Sequence, residues 1–166
     1  MFRRSLVACL LASVGVLAPG ADLQTGMKAP GFVATDQNGN QIKLADYLGK
    51  SNVVLYFYPK DDTPGCTTEA CSLRDGYQAI LAGGAVVLGV SADSVGSHSA
   101  FAKKYDLPFS ILADPEGKVI SDYGVKSMLM LGRASRVTFI IDKTGTIRFI
   151  VQKGAPPSTT SRCWSC

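Results

Sequence analysis

Val53-Val54-Leu55-Tyr56-Phe57-Tyr58-Pro59-Lys60-Asp61-Asp62-Thr63-Pro64-Gly65-Cys66 is the stretch on which the reading of this chain turns. Its first six residues are an unbroken run of β-branched, aliphatic and aromatic side chains bounded by Asn52 and Pro59. A strand with one wet face alternates in polarity. A strand covered on both faces does not, so this run predicts a central strand of a helix-flanked sheet. Beyond Tyr58 the chain reads as a loop and the start of a helix. Thr63 is a good N-cap and Pro64 a favoured first helical residue, which makes Gly65 the second and Cys66 the third. The third position faces the unsatisfied N–H groups and the positive end of the helix dipole, so a cysteine there is favoured as the thiolate nucleophile. Gly65 lets backbone or a small substrate come close.

Outward from this stretch, the pattern is one of strands alternating with helices. Upstream, residues 32–35 and 41–44 flank Asn38-Gly39 as a hairpin. Downstream, Ala70, Leu73, Tyr77, Ile80 and Leu81 share one face of a helix within 68–83, stopped by Gly83-Gly84. Residues 85–90 form a second buried-type strand, 95–105 a helix, 110–113 a short strand and 119–123 a helical piece. Residues 137–141 and 146–151 are strands joined at Asp142-Lys143-Thr144-Gly145. Alternation that closes in a hairpin predicts an α/β sheet of mixed direction.

The chain has 166 residues, a net charge of +4, 46% hydrophobic and 18% charged residues. That is room for one domain with a real core. The charge is too mild, and the lysines and arginines too scattered, for a nucleic-acid partner. Arg3-Arg4 followed by the uncharged Ser5–Ala21 reads as an export signal, with a retained membrane anchor as the second choice. The expected organisation is a signal over 1–21, one domain over 22–153 and an unstructured tail over 154–166. In that tail the C-x-x-C pair Cys163 and Cys166 carries no chemistry without further context.

Cys71 lies five residues after Cys66. On an intact helix their Cα atoms would be roughly 8.7 Å apart, beyond the limit of about 7 Å for a disulfide. Either Cys71 is inert or oxidation of Cys66 unwinds the helix and brings the two together; an activated Cys66 favours the second. The rival reading of Cys66 itself, a small buried hydrophobe, is disfavoured by the polar Lys60-Asp61-Asp62 beside it.

Tyr58-Pro59-Lys60-Asp61-Asp62-Thr63-Pro64-Gly65-Cys66-Thr67-Thr68-Glu69-Ala70-Cys71 resembles the active-site segment of the peroxiredoxins, in their bacterioferritin-comigratory or peroxiredoxin Q subfamily. The resemblance runs from about Gly26 to Val151 and includes Val90-Ser91-Ala92-Asp93-Ser94 and Arg136-Val137-Thr138-Phe139. It implies a thioredoxin-like fold and a thiol peroxidase that reduces hydrogen peroxide and organic hydroperoxides. It implies Cys66 as the peroxidatic and Cys71 as the resolving cysteine, with Thr63 contacting sulfur and peroxide, Pro59 shielding the site and Arg136 completing it. Substrate would meet Thr63, Gly65, Cys66 and Arg136. No metal and no organic cofactor is implied, and a thioredoxin-like dithiol would reset the cysteines. The chain is read as a monomer, a dimer being the alternative.

Two departures stand out. The family continues past its last strand into a helix packed on the sheet, which Gly154-Ala155-Pro156-Pro157 cannot form; Ile140, Phe149 and Val151 are therefore expected to be left uncovered. The export signal also places the enzyme in the periplasm, away from cytosolic reductant. Of the rival functions, a disulfide oxidoreductase would want C-x-x-C rather than C-x₄-C at the helix start. A copper chaperone would need His98 beside Cys66 and Cys71, whereas His98 reads as a solvated residue near the start of its helix.

Overall fold

The computed structural model describes residues 22–129 and 131–152. The expected export signal, the tail with Cys163 and Cys166, and the expected lack of a C-terminal helix all fall outside these residues. The strands are β1 (Val33–Asp36), β2 (Gln41–Lys43), β3 (Asn52–Phe57), β4 (Ala85–Ser91), β5 (Ser110–Ala113), β6 (Val137–Ile141) and β7 (Ile147–Gln152). The helices are α1 (Pro64–Asp75), α2 (Tyr77–Ala82), α3 (Val95–Lys104) and α4 (Lys118–Asp122).

Among the described residues the strands form one sheet of order β2-β1-β5-β4-β3-β6-β7. β3, β4 and β5 run parallel, in the register Leu55–Leu88 and Val90–Leu112, while β1, β6 and β7 pair antiparallel at the flanks. The mixed α/β sheet expected from the sequence is therefore present. β3 sits between β4 and β6, with its residues from Val53 to Phe57 buried. Along β3, successive side chains go to opposite faces. Val53, Leu55 and Phe57 pack with Val137, Phe139, Ile141 and α4. Val54 and Tyr56, with Tyr58 just beyond, pack under α1, α2 and α3.

The single helix expected within 68–83 is two helices. Gly76 separates α1 from α2 in a bridge-region conformation (φ −87°, ψ 0°). Glycine costs about 1 kcal/mol in a helix interior, and a bend there lets Ala70 and Ile80 both bury against the same sheet face. At the far edge, Phe149 is 48% exposed, as expected, while Ile140 and Val151 are half-buried.

Candidate active site

The site forms where the chain leaves β3 and turns into α1, outside the carboxyl ends of the parallel strands, where open α/β sheets hold their ligands. Asp62 makes the turn in the left-handed region (φ 55°), which aspartate tolerates better than most residues. Its carboxylate is tied to Lys104 Nζ at 2.7 Å and accepts a hydrogen bond from the Tyr105 hydroxyl. Thr63 is the N-cap, in extended backbone, and Pro64 opens the helix, as the sequence predicts. The Thr63 hydroxyl, however, donates to the Lys60 carbonyl at 3.1 Å instead of capping α1. The N–H groups of Gly65 and Cys66, which have no intrahelical acceptor, are therefore left without a side-chain cap.

Cys66 occupies the third helical position. Arg136, at the foot of β6, places Nη2 3.2 Å from its Sγ and donates through Nη1 to Glu69 Oε2 at 3.3 Å. Gly65 is what admits this guanidinium. A Cβ there would lie 2.6 Å from Nη2, so the close approach expected of Gly65 is made by an arginine. Arg133, three residues earlier, has no side-chain hydrogen bond among the described residues, and of the two arginines only Arg136 reaches the sulfur. Pro59 lies half-buried at the exit of β3. Cys71 is half-buried further along the same unbroken helix, and both cysteines are free thiols.

Two expectations need correction. Cys66 is not in a wet pocket: it is 1% exposed, packed with Tyr56, Tyr58 and Ala70. The polar residues upstream do not force it into solvent because Asp61 turns inward. His98 is likewise not solvated but wholly buried on the inner face of α3. Its Nδ1–H donates to Asp61 Oδ2 at 2.8 Å, and its Nε2 lies 3.2 Å from the Leu112 carbonyl. Asp61 also accepts from the hydroxyls of Tyr58 (2.7 Å) and Ser97 (2.6 Å), and its backbone N–H donates to Asp93. Burial works against this carboxylate, but the hydrogen bonds from His98, Ser97 and Tyr58 together outweigh it and hold its pKa below the usual range. With both ring nitrogens engaged, His98 does not join the cysteines as the metal-chaperone reading requires.

Sequence reasoning missed Glu69 and the inward role of His98. Both had a signal. Glu69 is three residues after Cys66 and so on the same helix face, and His98 precedes the buried Phe101 and Ala102 at helical spacing. Burial raises the Glu69 pKa, and the Arg136 charge only partly offsets it.

A sheet of this topology with a cysteine at a helix N-terminus defines a thioredoxin-like thiol protein. The AhpC/TSA family matches residues 25–150, and the chain belongs to that family. Wheat (Triticum aestivum) chloroplastic peroxiredoxin Q is 42% identical over 146 residues, covering 88% of this chain and 66% of that protein; the chain thus spans just under two thirds of that relative. Among solved structures, peroxidoxin BcpB of Mycobacterium tuberculosis superposes with a TM-score of 0.78 at 32% identity, covering 85% of this chain and 93% of that one. The Xanthomonas campestris bacterioferritin comigratory protein, studied for alkyl peroxide reduction, gives 0.73 at 28% identity, covering 81% and 87%.

Proposed function

We propose that this chain is a thiol peroxidase of the peroxiredoxin Q type, with Cys66 peroxidatic and Cys71 resolving. The observation that carries this is the Arg136 guanidinium on the Cys66 sulfur at the open end of α1. An N–H donor at that distance binds a thiolate more strongly than a thiol.

The thiolate attacks the terminal oxygen of a hydroperoxide. An S–O bond forms, the O–O bond breaks, and the alkoxide or hydroxide leaves and takes up a proton. Arg136 and the uncapped N–H groups of Gly65 and Cys66 are placed to stabilise the negative charge as it moves from sulfur to the departing oxygen. Thr63 lies beside them, and rotation of its hydroxyl away from Lys60 would bring a further donor to the peroxide. Cys71 then condenses with the sulfenic acid: its sulfur attacks Cys66, the S–O bond breaks, and water leaves. On an intact α1 the two cysteines are too far apart to bridge, so the first turns of α1 must unwind. A thioredoxin-like dithiol reduces the disulfide by exchange. The chain works as a monomer. Hydrogen peroxide and organic hydroperoxides are the substrate class, in keeping with the alkyl peroxide chemistry of the Xanthomonas neighbour. The Arg3-Arg4 start and uncharged Ser5–Ala21 support export, which places this chemistry in the periplasm with a periplasmic dithiol as reductant.

With a dithiol reductant present, Cys66→Ser is expected to lose turnover altogether. Cys71→Ser is expected to consume one equivalent of peroxide and stop as the sulfenic acid, read by mass spectrometry. Full activity in Cys66→Ser would refute the proposal.

A further inference from the structure

The hydroxyl of Tyr56 is buried and, among the described residues, has no hydrogen-bond partner. Tyr56 stands on the face of β3 that α1 covers, 1% exposed, in the same packed cluster as Cys66, Ala70 and Leu73. Its ring stacks on Tyr58 with centroids 5.4 Å apart and meets Phe109 edge-on at 6.1 Å. It also lies so close over β4 that a Cβ on Gly89 would come within 2.8 Å of the phenolic oxygen. The ring is thus held by its neighbours, and the hydroxyl cannot swing out to find an acceptor. Burial first, then Glu69, Asp61, Cys66 and Cys71, push the phenol well above its ordinary pKa. It remains a neutral O–H whose only unmet requirement is a hydrogen bond.

An unpaired buried hydroxyl is destabilising, and Cys66 and Ala70 of α1 belong to the packed cluster that buries it. Lifting the first turns of α1 removes Cys66 from that cluster, and the penalty would fall if water then reached the oxygen. We propose that Tyr56 is a positioning residue for the resolving step: its unpaired hydroxyl weakens the closed packing of α1 and biases the helix toward the unwound state in which Cys71 meets Cys66. This rests on the assignment of Cys66 and Cys71 above. Once Cys66 is a sulfenic acid it has two fates. Attack by the Cys71 thiol gives the disulfide and water. Attack on a second hydroperoxide gives the sulfinic acid and an alcohol (water, for hydrogen peroxide) and ends the cycle. The ratio between them reads how readily α1 opens.

Tyr56→Phe removes only the oxygen and tests this in the full chain. Hydrogen exchange across residues 64–72 is expected to slow by roughly five- to a hundredfold. Disulfide formation, timed against consumption of the first peroxide, should slow by a comparable factor. The sulfinic fraction at a fixed excess of hydrogen peroxide should rise accordingly, and the denaturation midpoint should increase. Unchanged or faster exchange over 64–72, or an unchanged partition between disulfide and sulfinic acid, overturns the proposal; lowered stability would mean that the hydroxyl is satisfied in the folded protein, and overturns it equally. A wild-type protein that forms no Cys66–Cys71 disulfide on oxidation refutes the underlying assignment instead, whatever Tyr56→Phe does.

Discussion

The two faces of the sheet are built from different materials. On the face that carries α4, Leu55, Phe57, Leu88, Ile120, Phe139 and Ile141 meet as nearly pure hydrocarbon, with the Tyr123 hydroxyl satisfied by the Pro30 carbonyl. Beneath α1, α2 and α3 the core also buries a cysteine, two tyrosines and, beside them, the Asp61–His98 pair. The first face is held mainly by burial, which is non-directional and indifferent to pH. The second is held partly by hydrogen bonds that fix the exit of β3, and among the described residues it leaves one hydroxyl unpaired. The face that carries Cys66 is the one whose stability is conditional.

Leu55→Ala on the apolar face should have the largest effect on stability, about 2–5 kcal/mol in denaturant titration, since Leu55 is fully buried and its removal leaves a cavity. That loss should be the same at pH 4 and pH 7, and any residual folded protein should keep its reactivity with peroxide. His98→Leu on the other face deprives the Asp61 carboxylate of its imidazole and should cost about 2–3 kcal/mol. It should also slow peroxide consumption, because the loop from Pro59 to Thr63 loses its anchor; equal peroxide kinetics would show that the two faces differ less than their contents suggest.

Acid sharpens the contrast. The Asp61 pKa is depressed in the folded state, so its contribution is complete above the unfolded carboxylate pKa of about 3.9 and is lost as pH falls through the lower folded value. Glu69, raised by burial, acts in the opposite sense, gaining stability as it takes up a proton. Melting temperature should therefore fall as pH drops below about 4, and Asp61→Asn should flatten that fall. The smallest effect is expected from Asp62→Asn. Adjacent to Asp61 in sequence but half-exposed, Asp62 pairs with Lys104 in solvent, where such pairs contribute little. A change in midpoint within experimental scatter is the expected reading.

Much of this was legible in the chain. The unbroken apolar run from Val53 to Tyr58, the Thr63-Pro64 helix start and the hairpin turns specified the sheet and put Cys66 at the third position of α1, because these features depend on local propensity and periodicity. The break at Gly76 was missed, because its signal, a glycine inside a helical pattern, competes with continuous apolar spacing on both sides. The surroundings of the sulfur were not legible. Arg136 is 70 residues from Cys66, and only the antiparallel pairing of β6 with β3 brings it over Gly65.

Local sequence determined which cysteine stands at a helix mouth and that it cannot reach Cys71 while the helix is intact, for both follow from 3.6 residues per turn. Tertiary packing alone decided that Cys66 is buried, that His98 faces inward to Asp61, and that the Tyr56 hydroxyl has no partner among the described residues. Burial and hydrogen-bond satisfaction are properties of what other segments bring to a residue. The same Asp-Asp pair can therefore place one carboxylate in the core and the next in water.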